Sequence, residues 1–469
     1  MRALTFAVVV AVAAAAGVAA ITVNPLIGLA AGGVLVAGAG LLGLPMERLA
    51  WIGACLLAFT ITWNGLRLAG GSFANVFMLL AFGAMVAHKL LERRPVSAPP
   101  TLLMAAVGFW LATCLVLIFP PDFRLLNLTE IQLRGSVGAP LILGKRSDLF
   151  TLIEVELSLL IVPLVMIAAA STPKRLRILL DLWTAGLIVN SLIGFMDTLG
   201  IAHLAATPLS GASRSVGLTI HPNYLALGAC MGIPTAMLWL GRSRLWSWAG
   251  LFALGALLGG VYASGSRAGA IACVFAVVVT SIAVPRLRRF MIPALPVVGM
   301  VAIVVLMFTS TGDRILDQVR LGGDTSTEVN ISGSDFERSR AADVAFDQFS
   351  ARPLQGVGFS VITDAHSIYL QLLAAGGIIA LVSFFIFIGG LAGSVMRSLN
   401  GPLRDEALAT GIVITVWLCN GVVDNQVGDK YLFVIPGLIY AIARLSWAPA
   451  PREVPARPRP APVRRPVPV

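Results

Sequence analysis

Fourteen apolar runs of about 15 to 28 residues, separated by short polar breaks, constrain this chain more than any single motif in it. With 57% hydrophobic and 12% charged residues and a mean hydropathy of +0.88, the 469 residues carry too little polar surface to cover a soluble globule. In lipid, every backbone N–H and C=O must be satisfied within its own helix or within a closed barrel. Runs of this length, rather than alternating stretches of about ten residues, are helical spans. The expected class is therefore all-α: a polytopic helical membrane protein with 12–14 transmembrane helices. The range reflects residues 49–62 and 74–87, two short runs flanking a polar break at 63–73, which fit a tilted or partly re-entrant pair. Cys55, Cys114, Cys230, Cys273 and Cys419 all lie inside apolar runs, so neither a disulfide framework nor a zinc site is indicated.

A net charge of +11 would point to nucleic acid in a soluble protein. Here the basic residues crowd the short loops of one side, as in Lys89, Arg93 and Arg94, then Lys174, Arg175 and Arg177, then Arg286, Arg288 and Arg289. That pattern fixes membrane orientation, with both termini expected in the cytoplasm. Asn24-Pro25, followed at once by a second run, reads as a helical hairpin whose first span is retained. The expected organisation is a transmembrane domain over 1–447, with outer loops at 120–148 and 200–222 and a long one at 310–366, then a disordered Pro/Arg-rich cytoplasmic tail over 448–469. Residues 120–148 are amphipathic and read as an interfacial helix or lid. The long loop is predicted to hold helices at 313–321 and 335–350, the second opened by a capping box of Ser334 with Glu337.

The chain has no G-x-x-x-x-G-K-[ST], D-x-D, H-E-x-x-H or G-x-S-x-G, and no cytoplasmic segment of a size to bind a nucleotide. If it is an enzyme, a donor dissolved in the bilayer fits better than a nucleotide. Arg267 sits in S-G-S-R-A-G, between two spans on the outer side. There a guanidinium and the free N–H groups of a helix start make an anion site; the alternative is an arginine snorkelling at a helix end. Arg214 lies in G-A-S-R-S-V-G-L-T-I-H-P-N, where glycine and serine allow close backbone approach and a second fork can share a pyrophosphate, or the charge is simply solvated. His221 and Asn223 read as capping and orienting the helix that begins at Pro222. His366 stands where the long polar segment becomes an apolar run, within reach of a water-borne hydroxyl and a lipid-borne leaving group. It serves as a general base, oriented by Asp364, or satisfies loop carbonyls. Glu154 is a further ionisable group at membrane depth. Like Asp181 and Asp197, it lines a pathway or neutralises a nearby arginine.

Three pieces, taken in order, resemble the O-antigen ligase and polymerase superfamily, the Wzy/WaaL-type membrane glycosyltransferases. They are G-L-T-I-H-P-N-Y-L-A after Arg214, Y-A-S-G-S-R-A-G-A around Arg267, and R-P-L-Q-G-V-G-F-S with A-H-S-I-Y-L-Q-L-L-A-A-G-G around His366. The resemblance implies a bacterial plasma-membrane enzyme that takes a glycan from a polyprenyl-diphosphate carrier, without a metal or other cofactor, and transfers it with inversion to an acceptor hydroxyl on the outer face. It implies that Arg214 and Arg267 hold the donor diphosphate and that His366 deprotonates a glycan, lipid or cell-wall acceptor. Partner proteins of envelope synthesis are compatible with it. Ligation is the preferred reading because one chain offers no clear second sugar site. Polymerisation from the same donor is the alternative, and a flippase of lipid-linked glycan is the rival from another class.

Overall fold

The computed structural model describes residues 45–68, 71–93, 98–120, 157–205, 214–310, 312–313, 325–359 and 365–447. Thirteen α-helices occur among them: α1 (Met46–Thr60), α2 (Phe73–Leu91), α3 (Pro100–Ile118), α4 (Val162–Ala169), α5 (Pro173–Thr198), α6 (Pro222–Leu240), α7 (Arg244–Ser264), α8 (Arg267–Ala283), α9 (Pro285–Phe308), α10 (Thr325–Ala351), α11 (Ile368–Ser398), α12 (Arg404–Asn420) and α13 (Val434–Trp447). The first two apolar runs lie outside the described residues; each of the other twelve contains a helix. Helices α2, α3, α5, α6, α7 and α11 are long and apolar enough to cross a bilayer. The fold class is thus all-α and membrane-embedded. The break between α1 and α2 is a two-residue antiparallel ladder, Arg67–Leu68 with Gly71–Ser72.

Helix α6 is the hub, packed by α5, α7, α8 and α12 and buried along nearly its whole length. Lipid tails are as apolar as leucine, so helices hold together in the bilayer through close van der Waals contact, which favours small residues. The α6–α8 crossing shows this: a Cβ on Gly269 would stand 2.7 Å from the Ala226 methyl, and the Cys230 thiol donates to the Gly269 carbonyl at 3.1 Å. Pro234 removes a helical N–H from the middle of α6. Nearby, Thr235 donates to the Gly232 carbonyl at 2.9 Å and accepts from Thr184 of α5 at 2.7 Å.

One end of the bundle is laced by ion pairs. Arg175 meets Glu47 at 2.8 Å, Arg177 meets Glu406 at 2.7 Å, Arg242 meets Asp181 at 2.7 Å and Arg286 meets Asp405 at 3.4 Å. Asp181 also accepts from the Trp239 indole at 2.7 Å, so of its two sequence readings the structure selects the neutralising one. Asp197, at the other end of α5, faces His203 at 3.2 Å.

Helix α11 is broken at Gly377, where φ is +62° and ψ −159°. Such a break frees backbone groups that lipid cannot satisfy. The segment just before the helix supplies the partners. Val357 and Gly358 donate to the carbonyls of Ala374 and Ala375 at 2.9 Å, while Ile378 and Ile379 donate to the carbonyls of Pro353 and Leu354 at 2.8 and 3.3 Å. Residues 352–359 are thereby plugged into the kink. Arg352 ties the plug to the end of α3, donating to the carbonyls of Phe119 and Pro120 at 2.9 and 3.1 Å. Phe359 packs on Phe109 of α3, with ring centroids 5.9 Å apart.

The long loop differs from expectation in one respect. Its helix α10 starts at Thr325 and runs through Ser334 without interruption, so the Ser334/Glu337 pair lies inside the helix and does not open it. The pattern is satisfied locally, but a helix already extending over the preceding residues leaves no end to cap. The other predicted stretch, 313–321, falls almost entirely outside the described residues, as do most of 120–148 and the tail from 448.

Candidate functional site

At the end opposite the ion pairs, the turn between α7 and α8 is built on Gly265, whose φ of +57° closes α7 in the left-handed region that glycine enters at little cost. The Ser266 hydroxyl then caps α8, accepting from the Gly269 N–H at 3.2 Å, which sets Arg267 as the first helical residue. The Arg214 loop is stitched to the same turn. Ser215 donates its N–H to the Ala263 carbonyl at 2.9 Å, and Arg214 donates Nε–H to the Ser264 carbonyl at 2.7 Å.

The other arm of the Arg214 fork donates to the Asn223 side-chain oxygen at 3.0 Å. Asn223 belongs to the first turn of α6, whose N-cap is His221: its Nδ1 accepts from the Asn223 N–H at 3.2 Å, which leaves the ring proton on Nε2. Buried Asn190, from the middle of the membrane helix α5, holds this loop from below by accepting from the Leu218 N–H at 2.7 Å.

Asn223, Ser266 and Arg267 line a cavity of about 20 Å³ together with Arg338 from α10 and Asp424 from the loop after α12. That is room for about one water. The Asp424 carboxylate, on a residue only 5% exposed, accepts from the Asn425 N–H at 2.9 Å and from the Gln426 amide at 2.7 Å. Gln426 in turn accepts from the Tyr431 hydroxyl, and its own carbonyl accepts from the Trp417 indole at 2.9 Å. The loop after α12 is thus a buried polar network that aims one carboxylate at the arginine cluster.

His366 is not among the residues lining that cavity, but its backbone is fixed to the cavity wall. Two residues on, the Ile368 N–H is shared between the carbonyls of Gly421 and Asp424, at 2.8 and 3.1 Å. One residue before, the Ala365 N–H donates to the buried Gln371 side chain at 3.0 Å. Between these anchors His366 takes φ +49°, the left-handed region that a non-glycine residue enters only when its surroundings hold it there. Its side chain is half-buried.

The structure therefore places Asn223 and Arg267 on one cavity, with Arg214 bonded to Asn223, ties the backbone two residues after His366 to Gly421 and Asp424, and gives His221 the job of capping the start of α6. Glu154 and Asp364 lie outside the described residues. Sequence reading missed Asp424 and Arg338. The first had a usable signal: V-D-N-Q-V-G-D-K breaks two apolar runs on the same side as His366. Arg338 is one of several arginines in a polar helix, and nothing local marks it. Among the described residues, no cluster of three His, Cys, Asp or Glu forms a metal site.

These features define a helical membrane protein with a cluster of arginines and a nearby histidine segment at one end of its bundle. Residues 252–385, from α7 to the middle of α11, match the family model described as O-antigen ligase, a match that supports the resemblance to the O-antigen ligase and polymerase superfamily. Arg267, Arg338 and His366 fall inside the matched stretch, whereas Arg214, Asn223 and Asp424 fall outside it. No curated protein was found to match the chain.

Proposed function

We propose that the protein transfers a glycan from a polyprenyl-diphosphate carrier to an acceptor hydroxyl on the outer face of a bacterial plasma membrane, acting as a ligase. The observation that carries this reading is the convergence of Arg214 and Arg267 on Asn223, at the bundle end where the His366 segment is anchored. The acceptor oxygen bonds to the anomeric carbon as that carbon's bond to the diphosphate oxygen breaks. The bonding pair leaves on the diphosphate, the hydroxyl proton goes to the His366 imidazole, and the configuration inverts. Diphosphate is already a good leaving group, so two guanidinium forks that grip it more tightly as charge develops provide the main stabilisation without calling on a metal ion. The bilayer keeps the donor in one plane with the site. A cavity that holds one water does not hold a diphosphate, so donor entry displaces Arg338 and with it α10, which then recloses over the reacting groups. In this orientation the ion-paired end and both termini face the cytoplasm.

Purified protein given a polyprenyl-diphosphate glycan and candidate acceptors should release polyprenyl diphosphate, and one addition per acceptor identifies a ligase. A ladder of products would identify a polymerase instead. Arg267→Ala is expected to lower turnover by about 10²-fold or more in protein that still folds. Arg214→Ala should lower turnover as much, but also lower the melting temperature, because it unpicks the bonds to Ser264 and Asn223. Wild-type release of polyprenyl diphosphate by both variants would remove the mechanism.

A further inference from the structure

At the ion-paired end of the bundle, a cavity of about 400 Å³ opens between α3, α4, α11 and α13. It is lined by Arg397, Arg444, Ser394, Tyr440 and Trp447, with Pro99 at the start of α3. Its two arginines differ from those that make up the ion pairs. The neighbouring guanidiniums of Arg175, Arg177, Arg242 and Arg286 each meet a carboxylate. Arg397 and Arg444 meet none among the described residues. Arg397 donates to its own helix, at the Gly393 carbonyl (3.0 Å) and the Ser394 hydroxyl (3.4 Å). Arg444 donates to the Ile167 and Ala170 carbonyls at the end of α4, at 2.8 and 3.1 Å. Two positive charges therefore border one cavity with only neutral oxygens to answer them.

We infer that this cavity is a binding site for the headgroup of an anionic phospholipid, in the leaflet opposite the arginine–histidine site. Three observations converge on a lipid rather than another anion. The cavity volume suits a small organic headgroup. Tyr440 and Trp447 are the residue types that settle at headgroup depth. A path for the acyl chain also begins at the cavity wall. Pro99, Leu103, Val107 and Leu111 follow one another at four-residue spacing on a single side of α3, and the three beyond Pro99 are 43%, 65% and 50% exposed. The segment after Trp447 does not fit as the occupant, because it carries five arginines against one glutamate.

Lipid titrations of the detergent-purified full chain, read by native mass spectrometry, test the assignment. Wild type should bind phosphatidylglycerol more tightly than phosphatidylcholine. Arg397→Gln, which removes side-chain hydrogen bonds made only within its own helix, should weaken phosphatidylglycerol about fivefold, and Arg397→Gln with Arg444→Gln about thirtyfold, with phosphatidylcholine unchanged. The corresponding lysine variants should restore most of the affinity. Should loss of the Arg444 contacts to α4 prevent folding of the double variant, Arg397→Gln and Arg397→Lys decide alone. Equal binding of the two lipids by wild type, unchanged phosphatidylglycerol binding in Arg397→Gln, or displacement of the lipid by inorganic phosphate at comparable concentration would each overturn it.

Discussion

His366→Asn protein is expected to fold, to take up the lipid-linked donor, and to transfer almost nothing from it. Asparagine tolerates the left-handed backbone that His366 adopts, so the anchors at Ala365 and Ile368 survive the change. It offers no base to receive the acceptor proton. A positioned general base contributes about 10² to 10⁴ in rate, and that is the loss expected in released polyprenyl diphosphate. His366→Gly should behave alike and is the more informative of the two. It relieves the backbone and leaves a gap where the ring stood, so added imidazole should recover part of the lost rate, as it would not if the histidine merely held the loop in shape. Donor binding separates the histidine's role from that of the arginines: it should persist in both His366 variants and weaken in Arg267→Ala. Turnover near wild type in His366→Asn, with donor still bound, would show that the acceptor proton goes elsewhere.

The parts of this molecule legible in its sequence are those governed by one local rule. A chain in lipid must close its own backbone hydrogen bonds, so a long apolar run becomes a helix whatever its neighbours do. That is why each of the twelve runs within the described residues contains one. The arginines at 214 and 267 and the histidine at 366 were visible for a related reason: each is a polar residue in a glycine- or serine-rich break, where charge is costly unless used. What stayed hidden depends on contacts between distant segments. Asp181 and Arg242 lie 61 positions apart, and the sequence gave no hint whether the carboxylate would meet that guanidinium or a pathway. The Ser334/Glu337 pair carried a true local signal and sat in mid-helix all the same. Arg338 reaches the site only because α10 folds back on α11, which no property of residues 325–351 announces. The broken helix is the clearest case. Gly376-Gly377 and Gly389-Gly390 are the same dipeptide in one apolar run, yet only the first carries the break that the plug fills.

That last point yields the largest structural effect. Gly377→Ala is expected to destabilise the protein by about 3 kcal/mol or more, combining a backbone region that alanine avoids with overpacking of a full interior. At φ +62° and ψ −159° the residue occupies angles essentially reserved for glycine. A Cβ there would fall on the Leu354 carbonyl and stand 2.7 Å from the Gln355 nitrogen, both backbone atoms of the plug that cannot rotate away. Relief requires expelling residues 353–358, which strands the Ala374 and Ala375 carbonyls and the Ile378 and Ile379 N–H groups in the bilayer without partners. Gly356, at φ +67° against the carbonyls of Ala374 and Ala375, should behave in the same way from the other side of the contact. Gly389 and Gly393 supply the control. They lie further along the same helix with nothing within 4 Å of an added Cβ, and alanine there should be neutral or stabilising by up to about 1 kcal/mol. Thermal unfolding of the four variants in one detergent distinguishes the cases. If Gly377→Ala melted with Gly389→Ala, the plug would not be what closes the broken helix. If it melted early, transfer should fall with it, because the expelled segment is the one that leads to His366.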